Sequence, residues 1–380
     1  ACWPSGADPP ANVDGLLSDG PLSARLAGSI RADGPMAYDA WVEACLYDPD
    51  EGFYASGGSA GRRGDFLTSP EVGPLFGAVL ARWMDARWEE LGRPAGFTVV
   101  EAAAGTGTLA RAVLAAQPAC LAGGRYVMVE RSAALRAAQP TDETFPGVDQ
   151  SSVELSSVAD LEDLTPVPHG VVLANELLDN LAFGLLEAVD GRWHEVCVDA
   201  RPAGPAEPAG GFHEVLGGAA DPPLPVDAAT CPPGSRIPVQ TAAADWVDAA
   251  LRLLGAGSVL IVDYASTTPV MAARPPEEWL RTYRGHERGS APTDAPGTQD
   301  VTVEVAVDQL PDGALVSTQA DFLNGHGIAD LVDEGRRLWE ERAHLGDLTA
   351  LRARSRVTES EALLDPSGLG GFTFLQWTRP

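Results

Sequence analysis

Apolar positions recur at helical spacing through the first ninety residues of the chain. The pattern predicts a helix that begins at Pro21, a second over residues 38–46, and a third over about residues 68–91, with Gly92 as a C-terminal stop. We therefore expect residues 1–92 to form an N-terminal helical cap, with a Gly-rich lid loop ahead of the third helix.

From residue 97 onward, short apolar runs alternate with helical stretches. The runs that predict strands are residues 97–101, 126–130, 170–174, 258–263 and 372–377, and the helical stretches begin near residues 109, 132 and 328. Strands that alternate with helices form a parallel sheet. The predicted fold class is therefore α/β, with a Rossmann-like sheet in a domain that spans residues 93–380.

A long insertion interrupts this alternation at about residues 176–257. It contains a predicted hairpin (residues 185–189 and 193–198) and a Pro/Gly-rich tract over residues 201–238. A second loop-rich tract covers residues 266–297. We expect the insertion to be a substrate-binding element attached to the sheet.

Composition and charge exclude several classes of protein. The formal charge is −28 and the chain has no lysine, which argues against a nucleic-acid partner and is typical of a GC-rich bacterial genome. The five cysteines form no C-x-x-C pair and the six histidines form no cluster, so no metal is expected. Without a run of about 20 apolar residues or a signal pattern at the start, we expect a cytoplasmic protein that has no membrane span.

The first predicted strand ends in a turn of small residues. Glu101 precedes the turn, Gly105 and Gly107 lie within it, and the helix that follows offers free N–H groups to a ligand. With Ala110, the glycines also satisfy a relaxed dinucleotide fingerprint, so NAD remains an alternative cofactor.

Three acidic or polar strand ends favour S-adenosylmethionine. Glu101 would repel a pyrophosphate but suits a cationic ligand, and Glu130, about 20 residues on, can accept both ribose hydroxyls. Asn175 and Glu176 end the fourth strand, where the reactive methyl group should lie. The charge-assisted hydrogen bonds that Glu130 accepts would contribute roughly 1.5–3 kcal/mol. The predicted cofactor-binding residues are Glu101, Gly105, Thr106, Gly107, Thr108, Leu109, Glu130 and Asn175.

The chain resembles a known family, the MidA-like class I methyltransferases. The similar segments are residues 46–54, 64–71, 101–109, 129–132, 174–179, 193–196, 262–264 and 297–302. The resemblance implies an S-adenosylmethionine-dependent enzyme on a class I methyltransferase sheet. The family includes a mitochondrial protein arginine methyltransferase that assists assembly of a respiratory complex. The resemblance therefore implies arginine N-methylation of a protein substrate, with a respiratory-complex subunit as one candidate.

Methyl transfer to a guanidinium requires carboxylates that orient the planar cation. Glu176 and Asp179 lie three residues apart, and Asp65 lies in the lid loop. The hypothesis is that Glu176 holds the target side chain, assisted by Asp179 or Asp65, although Asp179 could instead cap or pair locally. Thr68 and Glu71 match a capping box, so Glu71 is expected to be structural rather than catalytic.

Departures from the family keep two further functions open. Ala103 stands where the family usually has glycine, and Thr106 where it has arginine, and a Cβ at position 103 disfavours a positive φ. A non-catalytic assembly or binding protein that retains the fold is therefore one alternative. A small-molecule N- or O-methyltransferase, with the insertion shaping its acceptor pocket, is the other. An NAD-dependent oxidoreductase is disfavoured by Glu101.

Overall fold

The structure, a computed structural model, describes residues 21–55, 68–140, 153–202, 211–285 and 287–380. In this part of the chain the α-helices are α1 (Pro21–Asp33), α2 (Tyr38–Tyr47), α3 (Ser69–Val72), α4 (Pro74–Glu90), α5 (Thr108–Ala115), α6 (Ala133–Ala137), α7 (Thr241–Leu253), α8 (Thr268–Ala272), α9 (Gln319–Gly325), α10 (Ile328–Arg342) and α11 (Leu348–Leu364). The strands are β1 (Met36–Ala37), β2 (Thr98–Ala102), β3 (Gly124–Val129), β4 (Val153–Val158), β5 (Val167–Asn175), β6 (Gly184–Val189), β7 (Arg192–Arg201), β8 (Gly211–Ala220), β9 (Arg236–Val239), β10 (Leu254–Asp263), β11 (Ala265–Ser266), β12 (Leu280–Arg284), β13 (Glu287–Arg288), β14 (Asp300–Val303), β15 (Val305–Ala306), β16 (Leu315–Thr318) and β17 (Thr373–Arg379).

The largest sheet has the strand order β16-β17-β10-β5-β2-β3-β4. Strands β10, β5, β2, β3 and β4 are parallel, whereas β17 runs antiparallel to both β10 and β16. Every residue of β2 is buried, as expected for a parallel strand that is covered on both faces. The predicted α/β Rossmann-like sheet is confirmed, and the five predicted strands correspond to β2, β3, β5, β10 and β17.

Helices cover both faces of this sheet. On one face, Phe76 of α4 and Val113 of α5 share a core with Val99. On the other, Val247 of α7 shares a core with Val100, the next residue of the same strand. Because successive strand residues point to opposite faces, β2 contributes to both cores. Each such buried side chain stabilises the fold by about 1.5–3 kcal/mol.

A second, smaller sheet carries the N-terminal helices. Its strands pair in the order β1-β7-β6-β9, with β8 also paired to β7. Trp41 of α2 is fully buried and packs on Phe212 of β8, with ring centroids 4.7 Å apart. Leu26, Val42 and Val198 belong to the same core. The N-terminal helices and the inserted strands therefore form one apolar layer.

The predicted hairpin in the insertion is confirmed by β6 and β7. Val189 pairs with Arg192 across a two-residue turn. The turn residues Asp190 and Gly191 have φ of 50° and 73°, as a type I′ turn requires. Asp-Gly is a preferred sequence for this turn because both positions need a positive φ.

The prediction of one helix over residues 68–91 is wrong. Helix α3 ends at Val72, and α4 begins at Pro74 after an extended Gly73. Proline lacks a backbone N–H and disfavours the helical conformation in the residue before it, so the helix breaks there. A carboxylate oxygen of Glu359 from α11 accepts the hydrogen bond from Leu75 N at 2.9 Å and caps the new helix.

Two tracts that read as loops from the sequence contain regular structure. The Pro/Gly-rich tract 201–238 includes β8 and β9, and the tract 266–297 includes α8, β12 and β13. Helix α11 was also not predicted. Strand β9, for example, pairs with β6, which lies far earlier in the sequence, so its local pattern is weak.

The described residues contain neither a membrane-spanning helix nor a cluster of metal ligands. Of the helices described, none is both long enough and apolar enough to cross a membrane. Within the described ranges, no group of three or more His, Cys, Asp or Glu side chains is arranged to hold a metal ion. Cysteines 45, 120, 197 and 231 are free thiols.

Candidate active site

A cavity of about 800 Å³ opens at the carboxyl ends of β2, β3 and β5. Ligands of open parallel sheets bind at this edge. Most of the residues predicted from the sequence line it: Glu101, Gly105, Thr106, Thr108, Leu109, Glu130, Asn175 and Glu176. Gly107 and Asp179 lie outside the cavity wall, and both Asp65 and the predicted lid loop lie outside the described residues.

The turn between β2 and α5 has a left-handed backbone at three positions. Gly105 and Gly107 have φ of 53° and 79°. A Cβ on Gly107 would come within 2.5 Å of Pro140 Cδ, so this position requires glycine for space as well as for conformation. Ala103 adopts φ of 52°, which costs an L-residue about 1–2 kcal/mol. The alanine therefore accepts the strained conformation that the family usually gives to glycine.

Glu130 follows the end of β3 and is held in one orientation. Its carboxylate oxygens accept hydrogen bonds from Gly105 N at 2.9 Å and from Ser132 N at 2.8 Å. Burial raises its pKa, although these two backbone donors oppose the rise. Each oxygen keeps a further lone pair, so the carboxylate can accept two more hydrogen bonds from a ligand in the cavity.

Glu101 lies at the base of the turn and is 5% exposed. The Tyr126 hydroxyl donates to its Oε2 at 2.6 Å. Burial raises the pKa of Glu101 to about 7, and the hydrogen bonds from Tyr126 and from the Ala110 backbone oppose that rise. The Glu101 carboxylate, at the end of β2, thus connects β3 and the first turn of α5 through hydrogen bonds.

The predicted capping box of Thr68 and Glu71 does not form. The Thr68 side chain makes no capping hydrogen bond. The Glu71 Oε1 atom instead accepts from the Thr108 hydroxyl at 2.8 Å, and both residues line the cavity. Because Gly73 and Pro74 end α3 after one turn, Glu71 faces the N-terminus of α5, where a carboxylate is favourable.

Asn175 and Glu176 project from the end of β5. Glu176 has φ of 51°, an uncommon conformation for a residue other than glycine. The Asn175 amide donates to Glu176 Oε1 at 3.1 Å, while Asn175 Oδ1 is buried without a partner in the described part of the chain. Burial, reinforced by the charge of Asp179, raises the pKa of Glu176 well above its ordinary value.

Asp179 is part of a buried carboxylate cluster behind Glu176. Its Oδ2 accepts from the Thr302 hydroxyl at 2.6 Å, so its side chain bonds across the fold. Asp263 Oδ2 accepts from the backbone N–H of Leu178 at 3.0 Å and of Asp179 at 3.3 Å. Burial raises the pKa of Asp179 to about 6.

Sequence reasoning did not single out four residues around these carboxylates. The Tyr54 hydroxyl donates to Asp300 Oδ1 at 3.3 Å, and the Tyr47 hydroxyl donates to the Asn180 carbonyl at 3.1 Å. Both tyrosines line the cavity. Segments 46–54 and 297–302, which carry the family resemblance, contain these tyrosines and Asp300, but no role could be assigned to them before their contacts were known.

A family model matches residues 79–324, about two thirds of the chain. Its description is "Putative S-adenosyl-L-methionine-dependent methyltransferase". The chain belongs to this family. It is a methyltransferase, and S-adenosylmethionine is its cofactor.

Curated relatives of the methyltransferase are protein arginine methyltransferases by name. The Drosophila melanogaster protein arginine methyltransferase NDUFAF7 homolog is 29% identical over 98% of this chain and 88% of its own length. The Rattus norvegicus protein arginine methyltransferase NDUFAF7 is also 29% identical, over 54% of this chain and 50% of its own. The alignment with the rat protein therefore spans about half of each chain.

Solved structures from Burkholderia thailandensis share the whole fold. A COG1565 superfamily member bound to S-adenosyl-homocysteine has a TM-score of 0.76 at 26% identity. The match covers 98% of this chain and 95% of that one. The native structure of a COG1565 protein from the same organism has a TM-score of 0.75 at 25% identity, with the same coverage.

The cavity residues fit S-adenosylmethionine. Glu130 keeps free lone pairs for the two ribose hydroxyls, and the unpartnered Asn175 Oδ1 can accept from the amino group of the methionine part. Leu161 and Trp246 give the cavity an apolar wall that suits a purine ring. The small residues of the turn let its backbone approach the ligand closely.

Proposed function

We propose that this methyltransferase transfers a methyl group to the guanidinium of an arginine in a protein substrate. The names and similarity of the fly and rat relatives support a protein arginine as acceptor. The observation that carries the proposal is that Glu176 lines the same cavity as the cofactor turn, in a fixed left-handed conformation. A respiratory-complex subunit is the candidate substrate that the family resemblance suggests, and we propose the cytoplasm as the site of action.

In this proposal Glu176 binds and orients the acceptor. A carboxylate and a guanidinium form two parallel hydrogen bonds, which fix the plane of the cation. Fixing that plane aims one nitrogen lone pair along the line of transfer and removes orientational freedom in advance. When bound, S-adenosylmethionine supplies an electrophilic methyl group on a sulfonium.

Transfer requires the acceptor to lose a proton. The attacking nitrogen forms a bond to the methyl carbon, the bond pair between carbon and sulfur stays on sulfur, and one N–H proton must leave. The raised pKa of Glu176 makes its carboxylate a suitable acceptor of that proton. Asp179 and Asp263 are also buried, and burial raises the pKa of both; the charges of Asp179 and Glu176 add to the rise at Asp263.

The test is the appearance of methylarginine in protein. The purified methyltransferase is incubated with S-adenosylmethionine and a protein extract, and methylarginine is measured by mass spectrometry after hydrolysis. Glu176→Gln should lower its formation at least about 100-fold, by analogy with loss of a key transition-state contact. Glu340→Gln, an exposed carboxylate on α10, should leave it unchanged. If Glu176→Gln methylates as fast as the wild type, Glu176 does not orient the acceptor. If methyl groups appear only on small molecules, the acceptor is not a protein arginine.

A further inference from the structure

Two stacked tyrosines line the cavity near the buried carboxylates of Asp179 and Asp300. The rings of Tyr47 and Tyr54 have centroids 5.5 Å apart and planes inclined by 21°. The guanidinium carbon of Arg131 lies 4.3 Å from the centroid of the Tyr47 ring. All three residues line the cavity, and we call them the stacked cluster.

The hydroxyl groups of both tyrosines are already bound. Tyr47 donates to the Asn180 carbonyl and Tyr54 to Asp300 Oδ1. Burial raises the pKa of both phenols, and the nearby Asp300 adds to the rise at Tyr54, so they stay protonated. A protonated phenol whose hydrogen is donated elsewhere cannot act as a base. What these residues offer to a substrate is therefore the surface of their rings.

The charges around the stacked cluster favour a cation. Glu176 lines the cavity, and Asp179 and Asp300 are buried behind it, at 5% and 1% exposure. Arg131 is the basic residue among the described lining residues, and its guanidinium is paired with Glu43 at 2.9 Å. Buried carboxylates beside aromatic rings form a site for a cation that can both accept ion pairing and lie against a ring.

Resting on the proposed function, we infer that Tyr54 is a specificity-determining residue that selects a guanidinium over an ammonium. A guanidinium is planar, weakly hydrated and stacks on aromatic rings, whereas an ammonium is compact and strongly hydrated. A guanidinium already stacks in this cluster, because Arg131 lies over Tyr47. The Tyr54 ring, held by Asp300, thereby makes the cavity selective for arginine over lysine.

The test uses two bisubstrate probes that differ only in the cation. Both carry the adenosine and amino-acid parts of the cofactor, joined by the same linker either to a guanidine or to a primary amine. Their affinities are measured by calorimetry for the wild type, Tyr54→Leu, Tyr54→Phe and Tyr283→Leu. Tyr283 is the matched control, since it lies outside the described cavity wall and also carries an arginine, Arg288, 5.7 Å from its ring centroid.

We expect the wild type to bind the guanidine probe about tenfold more tightly than the amine probe. Tyr54→Leu should remove most of that preference, while Tyr54→Phe, which keeps the ring, and Tyr283→Leu should retain it. S-adenosylhomocysteine carries no acceptor cation, so its affinity should stay within about twofold in all variants.

The outcomes separate this inference from the proposed function. If the wild type prefers guanidine and Tyr54→Leu keeps that preference, the role of Tyr54 is wrong and the arginine acceptor stands. If the wild type shows no preference or prefers the amine, the arginine acceptor itself is contradicted. Should Tyr54→Leu fail to bind S-adenosylhomocysteine because it does not fold, Tyr54→Phe decides: retained preference supports the ring as the determinant, and lost preference overturns it.

Discussion

Ala103, between β2 and α5, is the residue at which the cofactor turn is most strained. Its φ of 52° costs an L-residue about 1–2 kcal/mol, which glycine would not incur. Glycine would instead lose about 0.5–1 kcal/mol, because its unfolded state has more conformational entropy than that of alanine. We therefore expect Ala103→Gly to raise the free energy of unfolding by about 0.5–1 kcal/mol. Urea denaturation without cofactor measures the change.

The control for this substitution is Ala115→Gly. Ala115 is exposed at the end of α5 and has an ordinary helical backbone, so glycine there should lower the free energy of unfolding by up to about 1 kcal/mol. The two substitutions are predicted to have opposite signs. Equal destabilisation by both would show that position 103 carries no relievable strain.

Glu101 predicts a pH dependence of stability. Its pKa is raised from 4.5 to about 7 by burial, so between these values the folded chain binds more protons than the unfolded chain. Its contribution to stability is therefore complete below pH 4.5 and is lost as the pH rises to 7. Between pH 5 and pH 8 the wild type should lose on the order of 3 kcal/mol more than Glu101→Gln. Parallel pH profiles in urea denaturation would contradict this.

Sequence reasoning at this scale succeeded where geometry is local. The positive φ of Gly105 and Gly107 follows from a tight turn of small residues, and the position of Glu130 follows from the spacing of a strand end. It failed for Glu71, whose partner Thr108 lies 37 residues away. The same limit applies to Tyr54, whose partner Asp300 lies 246 residues away. Contacts across the fold leave no local pattern.

Among the elements, α4 is notable because another helix caps it. Glu359 of α11 is 5% exposed, and its carboxylate accepts from Leu75 N and from the Ser355 hydroxyl at 2.6 Å. A Cβ on Gly73 would come within 2.3 Å of that carboxylate, so the residue before α4 leaves room for it. The usual N-cap side chain is thus replaced by a residue that is distant in sequence.

Removing this cap should destabilise the protein. Glu359→Ala is expected to lower the free energy of unfolding by about 2 kcal/mol, since it removes a cap and a charge near the helix N-terminus. Glu361→Ala, two residues further along α11 and exposed, should change it by no more than about 0.5 kcal/mol. Denaturation midpoints of the two variants provide the comparison, and equal values would show that the cap is not stabilising.

Element predictions held where the residue pattern is strong. Strands β2, β5 and β10 each contain a run of buried apolar residues, and each was predicted to within a few residues. Strand β8 was missed because its burial is irregular and glycines interrupt it. The break at Gly73 and Pro74 was missed because the apolar spacing continues across it.

For the whole molecule, the candidate site lies where two layers meet. The large sheet supplies Glu130 and Glu176, while the N-terminal layer, packed on the inserted strands, supplies Tyr47 and Tyr54. The sequence predicts a cap and an insertion separately. Their shared core depends on pairing between distant segments, such as Met36 with Val198, which local patterns do not encode.

We propose that the cavity binds S-adenosylmethionine through Glu130. Calorimetric titration with S-adenosylhomocysteine tests it on the wild type, on Glu130→Ala and on Glu154→Ala, an exposed carboxylate on β4. We expect the wild type and Glu154→Ala to bind equally, and Glu130→Ala to bind about 10–100-fold more weakly. A folded wild type that does not bind S-adenosylhomocysteine, or equal affinity in all three proteins, would contradict the role of Glu130.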